Sequence, residues 1–326
     1  MRRREVIALI GAMVAATPGA GLAQDRTKVA RVGYLGPAPA ENFARRVEAL
    51  RAGLRDLGHV EGTNLSFEFR WANAPDELPD LAAELIRARV DVIVVPSSTE
   101  TAAVLKTTNS VPVVFTAHAD PIGVGHIHSL ARPGANATGM SMFFTEVVAK
   151  ELEALKEALP NARRFGVVFV PTVPSHPLAL EAAQRTARTL GVELQTVPVR
   201  ADEDFPGAFS TLTQGGVDGL LVLLTPFTIS RRELLAHLAI EHGLPTVFGS
   251  KDNVHAGGLL SYAPDTGDMS RQAARYVHRI LQGEKPADLP VEQASRFELT
   301  INLKTAKSLG LKIPPTLLAR ADEVIE

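Results

Sequence analysis

The sequence predicts an α/β fold built from two similar lobes, each a doubly wound parallel sheet, joined by a hinge. Short, nearly continuous apolar segments alternate with amphipathic segments of helical period, which is typical of parallel strands covered by helices on both faces. The pattern of the first half also returns in the second half, the signature of an internal structural repeat. Two such lobes are expected to close on a cleft like a clamshell.

The first lobe is predicted from its elements in order. Its strands are expected at 31–35, 65–69, 90–95 and 111–115, with helices at 42–57, at 78–89 and directly after Val95. Helix 42–57 carries its apolar residues at helical spacing, with Val47, Leu50 and Leu54 on one face.

The second lobe is predicted from four repeated landmarks. The segments 31–35, Leu57-Gly58 and 111–115 return 133 positions later as 164–168, Leu190-Gly191 and 244–248, and 90–95 returns as 217–222. Glycines near residues 139 and 257 stand where the chain is expected to pass between the lobes, because glycine tolerates the backbone rotation of a hinge. The predicted boundaries are 28–140 plus 262–290 for lobe 1 and 141–261 plus 291–326 for lobe 2.

Composition excludes several classes of function. With 34 basic and 36 acidic residues, the formal net charge is -2, so no basic field attracts nucleic acid or an anionic membrane. The chain has no cysteine, which excludes a disulfide framework and a thiol nucleophile. We find no nucleotide-binding or hydrolase motif and expect no cofactor and no metal.

Residues 1–23 have the form of a cleavable export signal. Three arginines, Arg2 to Arg4, precede an apolar stretch of 6–16 and a small-x-small site at 21–23. The mature chain is then expected to begin at Gln24, to travel by the Sec or the twin-arginine route, and to reach the periplasm without a lipid, because no cysteine follows the cleavage site.

Ligands of open parallel sheets bind beyond the carboxyl ends of the strands. This rule selects six loops, at 36–42, 96–101, 116–120, 169–176, 225–228 and 249–253. The predicted ligand-binding residues lie on these loops or beside the expected hinge: Gly36, Asn42, Ser97, Ser98, Thr99, His118, Asp120, Ser141, Thr225, Phe227, Asp252 and Tyr262.

The loop that follows the strand 90–95 carries the strongest signal. Ser97 and Glu100 have the spacing of a capping box, so the Ser97 hydroxyl has a structural interpretation as a helix cap. Ser98 and Thr99 add hydroxyls where a helix amino terminus presents free N–H groups, and we interpret this loop as a seat for a carboxylate. Asp120 and Asp252 each have two interpretations. Each is a candidate partner for a ligand ammonium group or, alternatively, a cap of its own loop.

An enzyme is the alternative hypothesis. His118 and Asp120 could act as an acid and base on a small carboxylate, although alternating residues at a strand end point to opposite sides. His126 and His128 have a spacing seen in metal sites, but no third ligand accompanies them in the sequence.

Several long segments resemble one known family. They include GHVEGTNLSFEFRWA, VPVVFTAHADPIG, SLARPGANATGMS, AGGLLSY, KPADLPVEQASRFELTINLKTAKSLGLKIPP and LLARADEVIE. Together these segments resemble the ABC transporter substrate-binding proteins of the tryptophan/tyrosine-type subfamily, and the resemblance runs from Arg2 to Glu326. It implies a type I periplasmic-binding-protein fold and a monomer that captures a small molecule. It also implies delivery to membrane permease subunits driven by a cytoplasmic ATPase.

Overall fold

The computed structural model describes residues 29–37 and 40–326. The strands in these residues, in chain order, are β1 Ala30–Pro37, β2 Leu65–Ala72, β3 Val92–Val95, β4 Val113–His118, β5 Ala137–Ser141, β6 Arg164–Phe169, β7 Glu193–Pro198, β8 Gly219–Val222, β9 Thr246–Phe248, β10 Leu260–Pro264, β11 Glu292–Gln293, β12 Phe297–Asn302 and β13 Glu323–Ile325.

Helices alternate with most of these strands. The α-helices are α1 Ala44–Asp56, α2 Leu78–Arg87, α3 Ser98–Thr107, α4 Phe144–Ala158, α5 His176–Leu190, α6 Asp204–Gln214, α7 Pro226–Ser230, α8 Arg232–Glu241, α9 Lys251–His255, α10 Thr266–Leu281, α11 Leu303–Ser308 and α12 Pro315–Leu318. Short 3-10 turns occupy Ala40–Phe43, Pro75–Glu77 and Pro286–Asp288.

The strands form two sheets, as the repeat predicts. One sheet has the order β11-β5-β4-β3-β1-β2 and is parallel throughout. The other has the order β13-β12-β10-β9-β8-β6-β7, in which only β10 and β12 run antiparallel among the described strands. In each sheet the first strand of the lobe lies between the next two, so β1 and β6 occupy equivalent positions.

The repeated Leu-Gly landmark ends equivalent helices. Gly58 and Gly191 adopt positive φ angles of 83° and 66°, a left-handed conformation that stops a helix and that glycine adopts at no steric cost. The packing of α1 also depends on a glycine. A Cβ at Gly53 would lie 2.5 Å from the Arg271 carbonyl oxygen, so glycine allows α1 and α10 to pack closely.

The chain crosses between the sheets at three places, after Ser141, after Pro264 and after Gln293. These positions lie one to three residues beyond the predicted boundaries, because strand membership places residues 262–264 in the second sheet and 292–293 in the first. Gly139 lies inside β5, where an added Cβ would approach the Phe115 carbonyl oxygen to 2.0 Å. That glycine permits close strand packing and does not stand at a crossover.

The buried core is divided among the faces of the two sheets. Leu50 and Leu54 of α1 are fully buried with the first sheet, and Leu152 and Leu155 of α4 are fully buried with the second. No helix in residues 29–37 and 40–326 is both long and apolar enough to cross a membrane. The predicted export signal, residues 1–23, lies outside the described residues.

Candidate functional site

An inner cavity lies between the two sheets, at the carboxyl ends of their parallel strands. Its empty volume, including space open to solvent, is about 480 Å³. The first lobe contributes 96–99 and the end of β4, and the second lobe contributes residues that follow β6 and β8. Met142, Phe144 and Thr266 add lining from the crossovers. Four of the six predicted loops therefore line this cavity, and the loops 36–42 and 249–253 do not.

The cation of this cavity is Arg46, which projects from α1 on the same helical face as Leu50 and Leu54. Arg46 is only 8% exposed, and its guanidinium carbon lies 5.2 Å from the Phe43 ring centroid. Burial lowers the pKa of Arg46, and the nearby Tyr34 is among the groups that oppose this shift. Among the described residues, no carboxylate lies within ion-pair distance of it, and Asp252 and Glu100 act on it only at longer range. A buried cation without a paired anion favours an anionic ligand.

The first turn of α3 forms the adjoining wall. The Ser97 Oγ accepts a hydrogen bond from the Thr99 N–H at 3.3 Å and donates to the Glu100 carboxylate at 2.5 Å. The structural interpretation of Ser97 as the helix cap is therefore confirmed. Burial raises the pKa of Glu100, and the hydrogen bond from Ser97 opposes that shift. Thr99 borders the cavity beside this cap.

Ser98 is 2% exposed and also lines the inner cavity. Its Oγ lies 3.2 Å from His118 Nδ1 and accepts a hydrogen bond from the Ala119 N–H at 3.1 Å. Behind it, His118 Nε2 lies 2.8 Å from His126 Nδ1. A line of hydrogen-bonding side chains thus runs from the cavity wall towards the protein surface.

The wall from the second lobe is largely apolar. Thr225 caps α7, with its Oγ1 accepting a hydrogen bond from the Thr228 N–H at 2.9 Å. Leu224, Pro226 and Ile229 present carbon atoms to the cavity. A polar wall opposite an apolar one suits a ligand with a charged head and an apolar body.

A larger outer cavity, with an empty volume of about 1560 Å³ including open solvent, continues from the inner one. Thr99 and Thr225 border both cavities. Phe227 lines the outer cavity and stacks on Phe205 at 5.3 Å between ring centroids. The outer cavity gives the inner one a route to solvent.

Eight predicted binding residues do not line the inner cavity. His118 lies behind Ser98 and Phe227 lines the outer cavity. The other six lie elsewhere. Gly36 packs against Trp71, Asp120 accepts a hydrogen bond from the Gly123 N–H at 2.8 Å, Ser141 ends β5, Tyr262 stacks on Phe297 at 5.8 Å, Asp252 borders a separate small pocket with Lys251, and Asn42 accepts a hydrogen bond from Arg232. The Asn42 to Arg232 contact, at 2.7 Å, joins α8 of the second lobe to the turn before α1.

His118 and Asp120 do not form an acid and base pair. His118 is fully buried and bonds Ser98 and His126, whereas the Asp120 carboxylate bonds a backbone N–H of its own loop. Burial lowers the pKa of His118 well below its ordinary value, so its ring stays neutral. No group of three metal-ligating side chains occurs in the described part of the chain.

Sequence reasoning missed three polar residues near the cavity: Arg46, Glu100 as a buried carboxyl, and Tyr34. The Tyr34 hydroxyl is buried without a hydrogen-bond partner among the described residues. One signal for Arg46 was present, because it falls four positions before Leu50, on the stripe that helix 42–57 was predicted to bury.

Comparison with known proteins decides the family. The family model described as ABC transporter substrate binding protein matches residues 39–325. The chain belongs to this family. Its two-lobed architecture is the type I periplasmic-binding fold, and its role is to bind the substrate of an ABC transporter.

The individual relatives are between 23% and 28% identical to this chain. The chain is 25% identical over 262 residues to a tyrosine-binding protein of Clostridioides difficile (strain R20291), covering 79% of this chain and 74% of the relative. A crystal structure of a conserved domain protein from Vibrio cholerae is 28% identical, with a TM-score of 0.86 over 91% of this chain and 100% of that one. An ABC domain from Streptococcus pneumonia in complex with L-Trp is 23% identical, with a TM-score of 0.84 over 91% and 99%.

Proposed function

We propose that this protein captures a small solute in the periplasm, either an amino acid or a related carboxylate. It then delivers this solute, as a monomer, to a membrane permease. The observation that carries the ligand class is the Arg46 guanidinium, which borders the inner cavity and forms no ion pair with a carboxylate of the described residues. The relatives support the amino-acid class, since one is named for tyrosine and another is in complex with L-Trp.

The two walls assign roles to the two ends of such a ligand. The carboxylate faces Arg46 and the first turn of α3, where the positive end of the helix dipole adds to the guanidinium charge. The apolar body lies against Leu224, Pro226 and Ile229. Binding contacts on both lobes favour the closed arrangement of the clamshell, which is the state that a permease would receive.

A charge-removing substitution tests the assignment. Arg46→Met keeps an apolar stem of similar length and is expected to weaken L-tyrosine or L-tryptophan binding by about 2 to 5 kcal/mol, because a buried charge partner is lost. Isothermal calorimetry on the mature protein measures this directly. Tyramine, which has the tyrosine side chain and amine but no carboxylate, is expected not to bind the unaltered protein.

Arg55→Met is the matched control, because Arg55 lies on the same helix and its side chain, which pairs with Glu48 at the surface, is 59% exposed. This variant is expected to bind both amino acids like the unaltered protein. Equal affinity of the Arg46→Met and unaltered proteins would refute the carboxylate assignment. Binding of tyramine as tight as that of L-tyrosine would refute it independently.

A catalytic role is not proposed, since the family binds substrates and neither His118 nor Asp120 presents a free acid or base to the cavity.

A further inference from the structure

The hydrogen bonds behind the inner cavity join Ser98, His118 and His126. Their protons can be arranged in two ways. Ser98 Oγ already accepts from the Ala119 N–H, so one lone pair and one O–H remain for His118 Nδ1 and for the cavity. A neutral imidazole donates from one nitrogen and accepts at the other. The tautomer of His118 therefore fixes the direction of every bond in the line.

In the first arrangement the Ser98 O–H donates to His118 Nδ1. His118 then carries its proton on Nε2 and donates to His126 Nδ1. The Ser98 proton is directed away from the cavity, so Ser98 offers no donor to a ligand.

In the second arrangement all of these bonds are reversed. His126 donates from Nδ1 to His118 Nε2, and His118 donates from Nδ1 to Ser98 Oγ. The Ser98 O–H is then free to donate into the cavity. His118 is neutral in both arrangements, which agrees with its complete burial.

We infer that Ser98, His118 and His126 form a proton relay in which protonation of His126 turns the Ser98 hydroxyl into a donor for the ligand carboxylate. A doubly protonated His126 has an N–H on Nδ1 and can only donate to His118, so it enforces the second arrangement. The carboxylate part of this inference rests on the proposed function. His118 and His126 act here as positioning residues.

The surroundings of His126 set the pH range in which the relay responds. His126 is partly exposed, so solvent protons reach it. Partial burial and Lys106 of α3 lower the pKa of His126. His118 on β4 lies 2.8 Å from it. Asp120 and His128 are on its own segment, and the Asp120 carboxylate accepts a hydrogen bond from the Gly123 N–H. Protonation of His126 therefore requires a pH below the ordinary histidine pKa of 6.5.

Nuclear magnetic resonance of histidine ring nitrogens tests the relay without a ligand. On acidification of the mature protein, the His118 proton is expected to move from Nε2 to Nδ1 as His126 becomes protonated, while His118 stays neutral. An unchanged His118 tautomer throughout the His126 titration would overturn the inference. So would direct protonation of His118 before His126.

Calorimetry of L-tyrosine binding at neutral and mildly acidic pH tests the consequence. The affinity for L-tyrosine is expected to rise on acidification by up to about tenfold. One charge-assisted hydrogen bond to the ligand is gained, and rearranging the relay offsets part of that gain. His126→Asn should bind L-tyrosine without this rise. His128→Asn, which alters a neighbouring exposed histidine, should keep it.

The same pair of measurements separates this inference from the proposed function. If L-tyrosine binds with a rise that persists in His126→Asn, the relay is wrong and the carboxylate site stands. If no carboxylate binds, the proposed function fails, and the ring-nitrogen titration still decides whether the relay exists.

Discussion

Glu151 makes the sharpest prediction about stability. It projects from α4 into the second lobe with 0% exposure, and neither carboxyl oxygen has a hydrogen-bond partner among the described residues. One oxygen lies 3.2 Å from the position that a Cβ on Gly249 would occupy, close to Leu224. Burial raises the pKa of Glu151 well above its ordinary value of 4.5. Burial therefore favours the protonated form of this carboxyl in the folded protein.

Keeping that proton costs stability at neutral pH. Above pH 4.5 the unfolded chain releases the proton while the folded chain retains it, so the free energy of unfolding decreases as pH rises from 4.5 towards the raised folded pKa. Each pH unit in this window corresponds to about 1.4 kcal/mol. Between pH 4.5 and pH 7 the total decrease in the free energy of unfolding is therefore at most about 3 kcal/mol.

Glu151→Gln replaces the carboxyl with a neutral group of the same shape. We expect it to raise the free energy of unfolding at pH 7 by up to about 3 kcal/mol, with the gain disappearing near pH 4. Urea denaturation at both pH values measures this. Glu153→Gln is the control on the same helix; Glu153 pairs with Lys150 at the surface, and this change should alter stability by less than about 1 kcal/mol.

A Glu151→Gln variant that is less stable than the unaltered protein at pH 7 but not at pH 4 would refute the reasoning. That result would mean that the carboxylate is charged and paired in the folded state.

Two further predictions concern closure and packing. X-ray scattering should show a smaller radius of gyration when an amino acid binds. Asn42→Ala removes the acceptor for Arg232 across the cleft and should weaken this closure. An unchanged radius of gyration at saturation would argue against a clamshell. Gly139→Ala should destabilise the fold by about 2 kcal/mol or more, because Gly139 has φ 142° and an added Cβ meets the Phe115 carbonyl oxygen. Gly207→Ala, in open space on α6, should instead be neutral or stabilising by up to about 1 kcal/mol, and equal effects of the two changes in urea denaturation would contradict this account.

The fold was predictable because hydrophobic periodicity and the repeat carry it. The repeated segments became β1 and β6, β3 and β8, and β4 and β9, in equivalent places. The predicted passages at 139–141 and 257–262 end within two residues of the crossovers after Ser141 and Pro264, although Gly139 itself serves strand packing. Strand membership depends on long-range pairing that local sequence does not record.

The candidate site was predictable only at the level of loops. The strand-end rule located the cleft and brought Ser97, Ser98, Thr99 and Thr225 to its walls. It could not say which side chains on a loop face inwards, so Asp120 and similar residues were chosen although their side chains bond elsewhere. Arg46 was missed because it lies on a helix and not on a loop.

The three crossovers also affect how the chain can fold. Neither sheet is formed from one continuous stretch: the first needs β11, from near the carboxyl terminus, and the second needs β12 and β13. Helix α10, which packs on α1, follows the entire central part of the second lobe. Neither lobe can therefore be completed while the carboxyl-terminal part of the chain is still being synthesised, and a truncation after residue 264 would leave both lobes unfinished.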